Sequence, residues 1–570
     1  MRQTLSGLTA LLALAVSACA PAAPSGGLPT EAKVVADQSR VLRIVARVEA
    51  EDLTGSGGAS KVEIPQRMFT AGLSNTDHRE AAYPVLAESL PQLNTDTWKV
   101  LPDGKMETAY RLRPGLTWHD GAALTADDFV FALRAFRVET AWGYAPGGDE
   151  RAAAAFMEEI AAVDLQTLAI RWARAYPEAG ALGFQPLPRH LLERSLDLND
   201  RDMYYSLPHW TTTYVGVGPY RLTRWERGSF AEGVAFEGYA LGRPRIDRIV
   251  LTYSSNPNIT VARLLAGDLD MAVDRAIEFQ EASSLKQEWV LRNQGRILLS
   301  PVQLRYVQVQ ARPAYAEPRA LLDVRARRAL LHAIDRTALA EAMVEDGGMA
   351  ADTMVPRIVG YYAAVDRAIT KYAFDVRRTD QLMAELGFTK GADGIFASAT
   401  EGRFNPELSG VSEGQEAQDS TIVADYLKRA GVDVQLDLIP ASLRVGTDEM
   451  KATFPALTTN NNSLTPPMLG IDKFTGATIG TPQNNWRGNN RMGWSHPEYD
   501  RLVNAFKGTL DQREADGLMA QMLALMSNEL PALPLYFNFL VVTHVGSLNG
   551  PEAAAPRSTR YDNIHLWEWR

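Results

Sequence analysis

Residues 41–48 (VLRIVARV) alternate apolar and polar positions as a first strand, and 168–172, 220–225, 248–254 and 305–310 also read as strands. Elsewhere the period lengthens to that of helices. Thr125 precedes Asp127 and Asp128 and then Phe129, Leu133 and Phe136, which predicts an N-capped helix with acids on the positive end of its dipole. Residues 259–266 predict a helix stopped by Gly267, followed by a strand at 269–272. Residues 324–344 read as one long amphipathic helix, with further helices at 375–387, 421–431 and 498–508. Strands are predicted at 432–440 and 452–459, and 533–545 reads as core strand material. Strands and helices mixed over long stretches, without internal repeats, give an α/β chain.

A chain of 570 residues buries most of its apolar surface and divides into two or more domains. Its formal net charge of −10 is spread over mixed charges, which argues against nucleic acid and supplies no basic patch for a membrane. The beginning of the chain changes this picture. Arg2 and the apolar stretch 8–16, too short to span a bilayer, predict a signal peptide at 1–18. Val16-Ser17-Ala18-Cys19 resembles a lipobox, which implies lipidation of Cys19 and anchoring by several acyl chains, each buried CH₂ contributing about 0.8 kcal/mol. Residues 19–39, with the Pro/Ala/Ser/Gly run at 21–29, read as a flexible tether. Cys19 is the only cysteine, so the exported domain has neither a disulfide nor a thiol metal site.

The most informative window is 83–136. It contains Pro84, Leu86, Ala87 and Glu88, a turn at Pro102-Asp103-Gly104, a strand at 107–112, the block from Leu112 to Gly121 with Trp118-His119-Asp120, and the helix opened by Thr125. His119 beside one Asp lacks a nucleophile and a second metal ligand, so its expected role is structural. Further on come Gly216-Val217-Gly218-Pro219-Tyr220, then Arg327-Arg328-Ala329-Leu330 with Ala333-Ile334-Asp335-Arg336, then Trp494-Ser495-His496-Pro497-Glu498-Tyr499-Asp500, and Leu530-Pro531-Ala532-Leu533-Pro534-Leu535-Tyr536. In this order the five segments resemble the family 5 solute-binding proteins of bacterial ABC importers, which take peptides, nickel or oligosaccharides.

The resemblance implies a two-lobed periplasmic-binding-protein-like fold of type 2, with an additional domain inserted in the first lobe. Lobe one is expected at 40–62, 199–272 and 515–570, the insert at 63–198 and lobe two at 273–514. It also implies an extracytoplasmic monomer without cofactor, on a membrane at the periplasm or cell surface. Such a protein is not an enzyme: it captures a ligand between its lobes and delivers it to an ABC permease. Segments that border the cleft in relatives supply the candidate ligand contacts Trp210, Asn460, Asn461, Asn462, Asn485, Trp486 and Arg487. A Trp face suits a sugar ring or an apolar side chain, and amides donate and accept at once. Peptide-binding relatives commonly place an Asp after the corresponding strand to pair with a free amine. Here that stretch runs Thr458-Thr459-Asn460-Asn461-Asn462-Ser463-Leu464-Thr465-Pro466-Pro467, and the nearest downstream acid is Asp472. The expected ligand is therefore polar without a required free amine, an oligosaccharide ahead of a peptide.

Two other readings come from the same residues. Gly410-Val411-Ser412-Glu413-Gly414 matches the G-x-S-x-G elbow of a serine esterase, but Pro406 weakens the preceding strand, no HGGG-type oxyanion loop is present, His496 already belongs to the Trp494 segment, and His544 and His565 have no evident acid partner. A ligand-sensing receptor would need the same cleft as a transporter. The eight His show no H-x-x-x-H spacing, so no protein zinc site is expected. The glycines from 55 to 58 lack the Lys-Ser/Thr of a phosphate loop and read as an ordinary loop.

Overall fold

Two long strands organise the molecule. The computed structural model describes residues 41–51, 53, 63–143, 153–292, 294–440, 448–464 and 468–570. The signal peptide, Cys19, the tether and the glycines at 55 to 58 lie outside them. Gly295–Val309 and Ala532–Val545 run antiparallel, paired from Gly295 opposite Val545 to Gln308 opposite Ala532. Ala532–Val545 is apolar along nearly its whole length because both of its faces are covered. Around this pair lies a ten-stranded sheet. On the Val545 side it continues through Met271–Ala272, Val41–Ala46, Arg248–Tyr253, Phe230–Ala235 and Tyr220–Glu226. On the Ala532 side it continues through Leu457–Ser463, Glu407–Val411 and Gln435–Ile439.

The two halves have separate cores. In the first, Leu42, Ile44, Ile249 and Leu251 pack with Met68 and Phe69 of helix Ile64–Phe69. In the second, helices Val324–His332, Val376–Glu385 and Gly414–Ala430 contribute to one core, and Pro497–Gly508 with Gln512–Glu529 to another. Among the described strands only the two long ones run from one half into the other, and their register shifts between Pro301 and Gln303, where the neighbours of one half give way to those of the other. Pro301 has no N–H to give the ladder, which suits it to that irregularity. Just beyond, Arg305 Nε–H donates to Asp419 at 2.6 Å, and the Tyr536 hydroxyl donates to the other carboxylate oxygen at 2.6 Å. This buried group ties both long strands to helix Gly414–Ala430.

A further core belongs to the four-stranded sheet of Trp98–Val100, Met106–Arg111, Thr167–Trp172 and Met157–Ala162, packed on helix Ala126–Ala141. The Thr125 N–H donates to Asp128 Oδ2 at 2.9 Å, and Asp128 Oδ1 accepts from the Arg189 N–H, so the helix start also holds the next helix, Arg189–Asp197. His119 joins this unit to the first half. Its Nδ1 accepts from the Gly216 N–H at 3.1 Å and its Nε2 donates to the Gly218 carbonyl at 3.0 Å. Burial holds the imidazole neutral by lowering its pKa to about 4. Gly216 and Gly218 permit the contact: an added Cβ would lie 2.0 Å from the Phe69 carbonyl oxygen and 2.4 Å from the Phe69 carbonyl carbon respectively.

Several elements differ from expectation, three of them in the second half. The helix expected over 324–344 is two, Val324–His332 and Arg336–Val344, because Asp335 leaves helical geometry and its carboxylate accepts from the Ala338 N–H at 3.0 Å, capping a new start. The helix expected at 421–431 begins earlier, as Gly414–Ala430. The strand expected at 452–459 is Leu457–Ser463, preceded by helix Asp448–Ala452. Pro455 precedes the strand, and pairing with Gln303–Val309 carries it through three asparagines despite their poor strand propensity.

Candidate functional site

The three asparagines are strand residues rather than loop residues, and this decides what each can do. Asn460, Asn461 and Asn462 lie opposite Tyr306, Arg305 and Leu304, so Asn461 faces one side of the sheet and the other two face the opposite side. Asn461 Oδ1 accepts from Gln303 Nε2 at 3.1 Å. Asn460 Oδ1 accepts from the Asn461 N–H at 2.8 Å. Asn462 is fully buried and donates to the Leu469 carbonyl at 2.9 Å. That bond folds the chain back at Gly470, whose φ of +74° and close approach both exclude a side chain: a Cβ there would sit 2.4 Å from Asn462 Oδ1.

The fold-back closes an open polar pocket of about 350 Å³. All three asparagines line it, with Tyr306 and Gln308 from the neighbouring strand and Asp472, Lys473, Asn489 and Arg491 from the returning chain. Gln308 Nε2 donates to the Tyr306 hydroxyl at 3.1 Å, and its Oε1 is buried without a partner. Either orientation of that amide leaves one polar atom unused. Asp472 lies 3.6 Å from Lys507 Nζ. Burial pushes the Lys473 ammonium down to about 8, opposed by Asp472 and assisted by the like charge of Arg491. The pocket thus offers amides and charges, with the aromatic ring of Tyr306 in its lining, the mixture that orients a polar ligand.

Other candidate residues stand elsewhere. Trp210 is packed with Phe131, Leu192 and Tyr204, and its indole N–H donates to the Tyr204 carbonyl at 2.7 Å, so ring and polar tip are both used by the core. Asn485 and Trp486 adopt left-handed backbone conformations after the short helix Pro482–Asn484. Trp486 is half-buried with its ring at 6.4 Å from that of Tyr315, and Arg487 is exposed. None of these four lines the Asn460 pocket; the same loop sends Asn489 and Arg491 there instead. Asn490 fixes their path through its amide, which donates to the carbonyls of Phe474, Thr475 and Trp494 at 3.2, 3.0 and 2.7 Å. Sequence reasoning did not single out Lys473, Asn489 or Arg491. The available signal was the polar run Asn489-Asn490-Arg491 just ahead of the Trp494 segment.

Ser412 does lie between a strand, Glu407–Val411, and a helix, Gly414–Ala430. Its side chain is exposed, and its N–H donates to the Ile439 carbonyl at 3.0 Å. The three histidines weighed as its base make other contacts: His496 stacks on Trp494, His544 bonds the Val545 carbonyl, and His565 meets the Tyr239 ring. Among the described residues no cluster of His, Cys, Asp or Glu could hold a metal ion, and no helix is long and apolar enough to cross a membrane.

Comparison with known proteins agrees with this architecture. The dipeptide-binding protein of Escherichia coli is 23% identical over 529 residues, which is 86% of this chain and 90% of that protein. Among solved structures, HbpA2 of Haemophilus parasuis superposes with a TM-score of 0.74 at 16% identity, covering 93% of this chain and 100% of that one. An oligopeptide-binding protein of Thermus thermophilus complexed with a pentapeptide gives 0.65 at 20% identity, covering 93% and 96%. Likeness at such identity shows the fold, which is the two-lobed type 2 arrangement. The model of the bacterial extracellular solute-binding proteins, family 5 Middle, matches residues 83–478. The chain therefore belongs to family 5 of the bacterial extracellular solute-binding proteins.

Proposed function

We propose that this solute-binding protein takes a polar ligand against strand Leu457–Ser463, closes its two lobes over it and delivers it to an ABC permease while acyl chains on Cys19 hold it at the membrane. The observation that carries the reading is the amide-lined pocket on that strand, in a fold whose halves are joined by two strands among the described residues. Ligand binding would shift the open and closed populations by its differential affinity for them, with the register shift at Pro301 absorbing the bend. We place the return to lobe one after helix Gln512–Glu529 instead of at residue 515, because that helix packs with Tyr306 and Phe506. Helix Ile64–Phe69 goes with lobe one, since Phe69 packs with Leu42.

An oligosaccharide remains the first choice of ligand and a peptide the second, the latter supported by the names of the relatives. The acid that would greet a free amine, Asp472, does line the pocket, yet Lys507 already meets its charge. Solution scattering over a panel of short sugars and peptides, each peptide tested free and N-acetylated, decides the matter. A ligand should reduce the radius of gyration, and acetylation should leave peptide binding intact. Binding of the free peptide that acetylation destroys would assign the amine to Asp472 and remove the sugar preference; no contraction with any bound ligand would remove the closure mechanism.

A further inference from the structure

We propose that the pocket selects solutes bearing an oxyanion, a carboxylate or a phosphate, and seats that group between Lys473 and Arg491. The proposal rests on the solute-binding reading and names the ligand chemistry of the same site. The two cations arrive on different elements, Lys473 on the short helix Ile471–Phe474 and Arg491 on the stretch fixed by Asn490, and both line the cavity. Both side chains are half-buried.

Several other buried or half-buried cations of this protein are engaged. Arg305 holds Asp419, Arg560 holds Glu63, Arg327 bonds three backbone carbonyls, and Arg312 bonds those of Ala452, Arg491 and Gly480. Among the described residues, Lys473 and Arg491 form no ion pair and no side-chain hydrogen bond. Asp472 is the one acid in the lining against these two cations, and it lies 3.6 Å from Lys507 Nζ, so the lining carries excess positive charge. A partly desolvated charge without a partner is costly, and a bound anion relieves two at once. The guanidinium fork of Arg491 suits the paired oxygens of a carboxylate or phosphate, and an ammonium beside it adds a point charge. The unused polar atom of Gln308 and the amide of Asn460 then remain for the neutral part of the solute.

Calorimetry with matched probes tests this: trigalacturonic acid against its methyl ester, N-acetyl-trialanine against its C-terminal amide, and glucose 6-phosphate against glucose. At least one charged member should bind about tenfold or more tighter than its neutral counterpart. That ratio should fall close to one in Lys473→Gln and in Arg491→Gln, while Lys473→Arg, which keeps the charge, retains it and reports that the pocket is folded. Which arm responds separates carboxylate from phosphate. Equal binding of both members, a preference that survives both Gln variants, or no charged member bound up to about 10 mM overturns the proposal. Binding of neutral members in that case leaves solute capture standing, whereas silence from every probe counts against capture as well.

Discussion

Single residues decide where the backbone can go in this protein, and Gly470 is the sharpest case. Its φ is positive, and a Cβ added there would lie 2.4 Å from Asn462 Oδ1 and 2.8 Å from the Ser463 carbonyl oxygen, which leaves no room for one. Gly470→Ala should therefore destabilise the fold by about 1 to 3 kcal/mol and open the fold-back that carries Asp472 and Lys473 into the pocket. A lowered melting temperature together with lost ligand binding is the expected result; an unchanged melt would show that the fold-back is not held at this point. His119 makes the complementary case. A Trp-His-Asp sequence invites a catalytic reading, yet its ring is spent on two glycine backbone groups.

Elements were legible in the sequence wherever local chemistry sets them. Gly104 and Gly121 take positive φ where Asp-Gly turns are written, Thr125 starts its helix, and Gly267 ends one in the left-handed conformation. What escaped is set by distant partners. Only residues 305–310 read as strand in an element that runs from Gly295 to Val309, because its first ten residues include Gly295, Arg296, Ser300 and Pro301 and become a strand only by pairing with Ala532–Val545. The asparagines were picked out, but the expected strand ended at 459, ahead of them, which hid the alternation that turns them to different faces. Lys473 carries no local mark and Arg491 only that of the polar run Asn489-Asn490-Arg491, since the returning chain is what brings them to one pocket.

The same scale holds a pH device of known sign. Asp274 caps the start of helix Ile64–Phe69 by accepting from the Glu63 and Ile64 N–H groups at 2.9 and 3.1 Å, and from the Tyr561 hydroxyl at 3.0 Å. Burial raises its pKa from 3.8 to about 6, with the nearby Glu63 charge adding to the rise. The folded state therefore binds this proton more tightly than the unfolded state, so its contribution to stability grows as the pH falls through 6 and levels off below 3.8. Between roughly pH 7 and pH 5 the gain is about 1 kcal/mol. Asp274→Asn should lose that increment, read as a smaller upward shift, or a larger downward one, in melting temperature on acidification. An identical pH response in variant and parent would refute the assignment.

At the scale of the whole molecule, no described helix is long and apolar enough to cross a membrane, and the proposed attachment is the lipid expected on Cys19. Cys19→Ala should move the protein from the membrane fraction to the soluble fraction, a change of address without a change in ligand affinity. Membrane association that survives the substitution would require a different anchor.

The position of the first strand gives that attachment a mechanical meaning. Val41–Ala46 is an interior strand of the sheet, parallel to Arg248–Tyr253 along all six of its residues and to Met271–Ala272 on its other side. Were the proposed tether to pull on Val41 along the strand axis, the hydrogen bonds to both neighbours would be loaded in shear and would yield together instead of unzipping one at a time. The proposed anchor would thus load an interior strand of the first half and not the two long strands that join the halves.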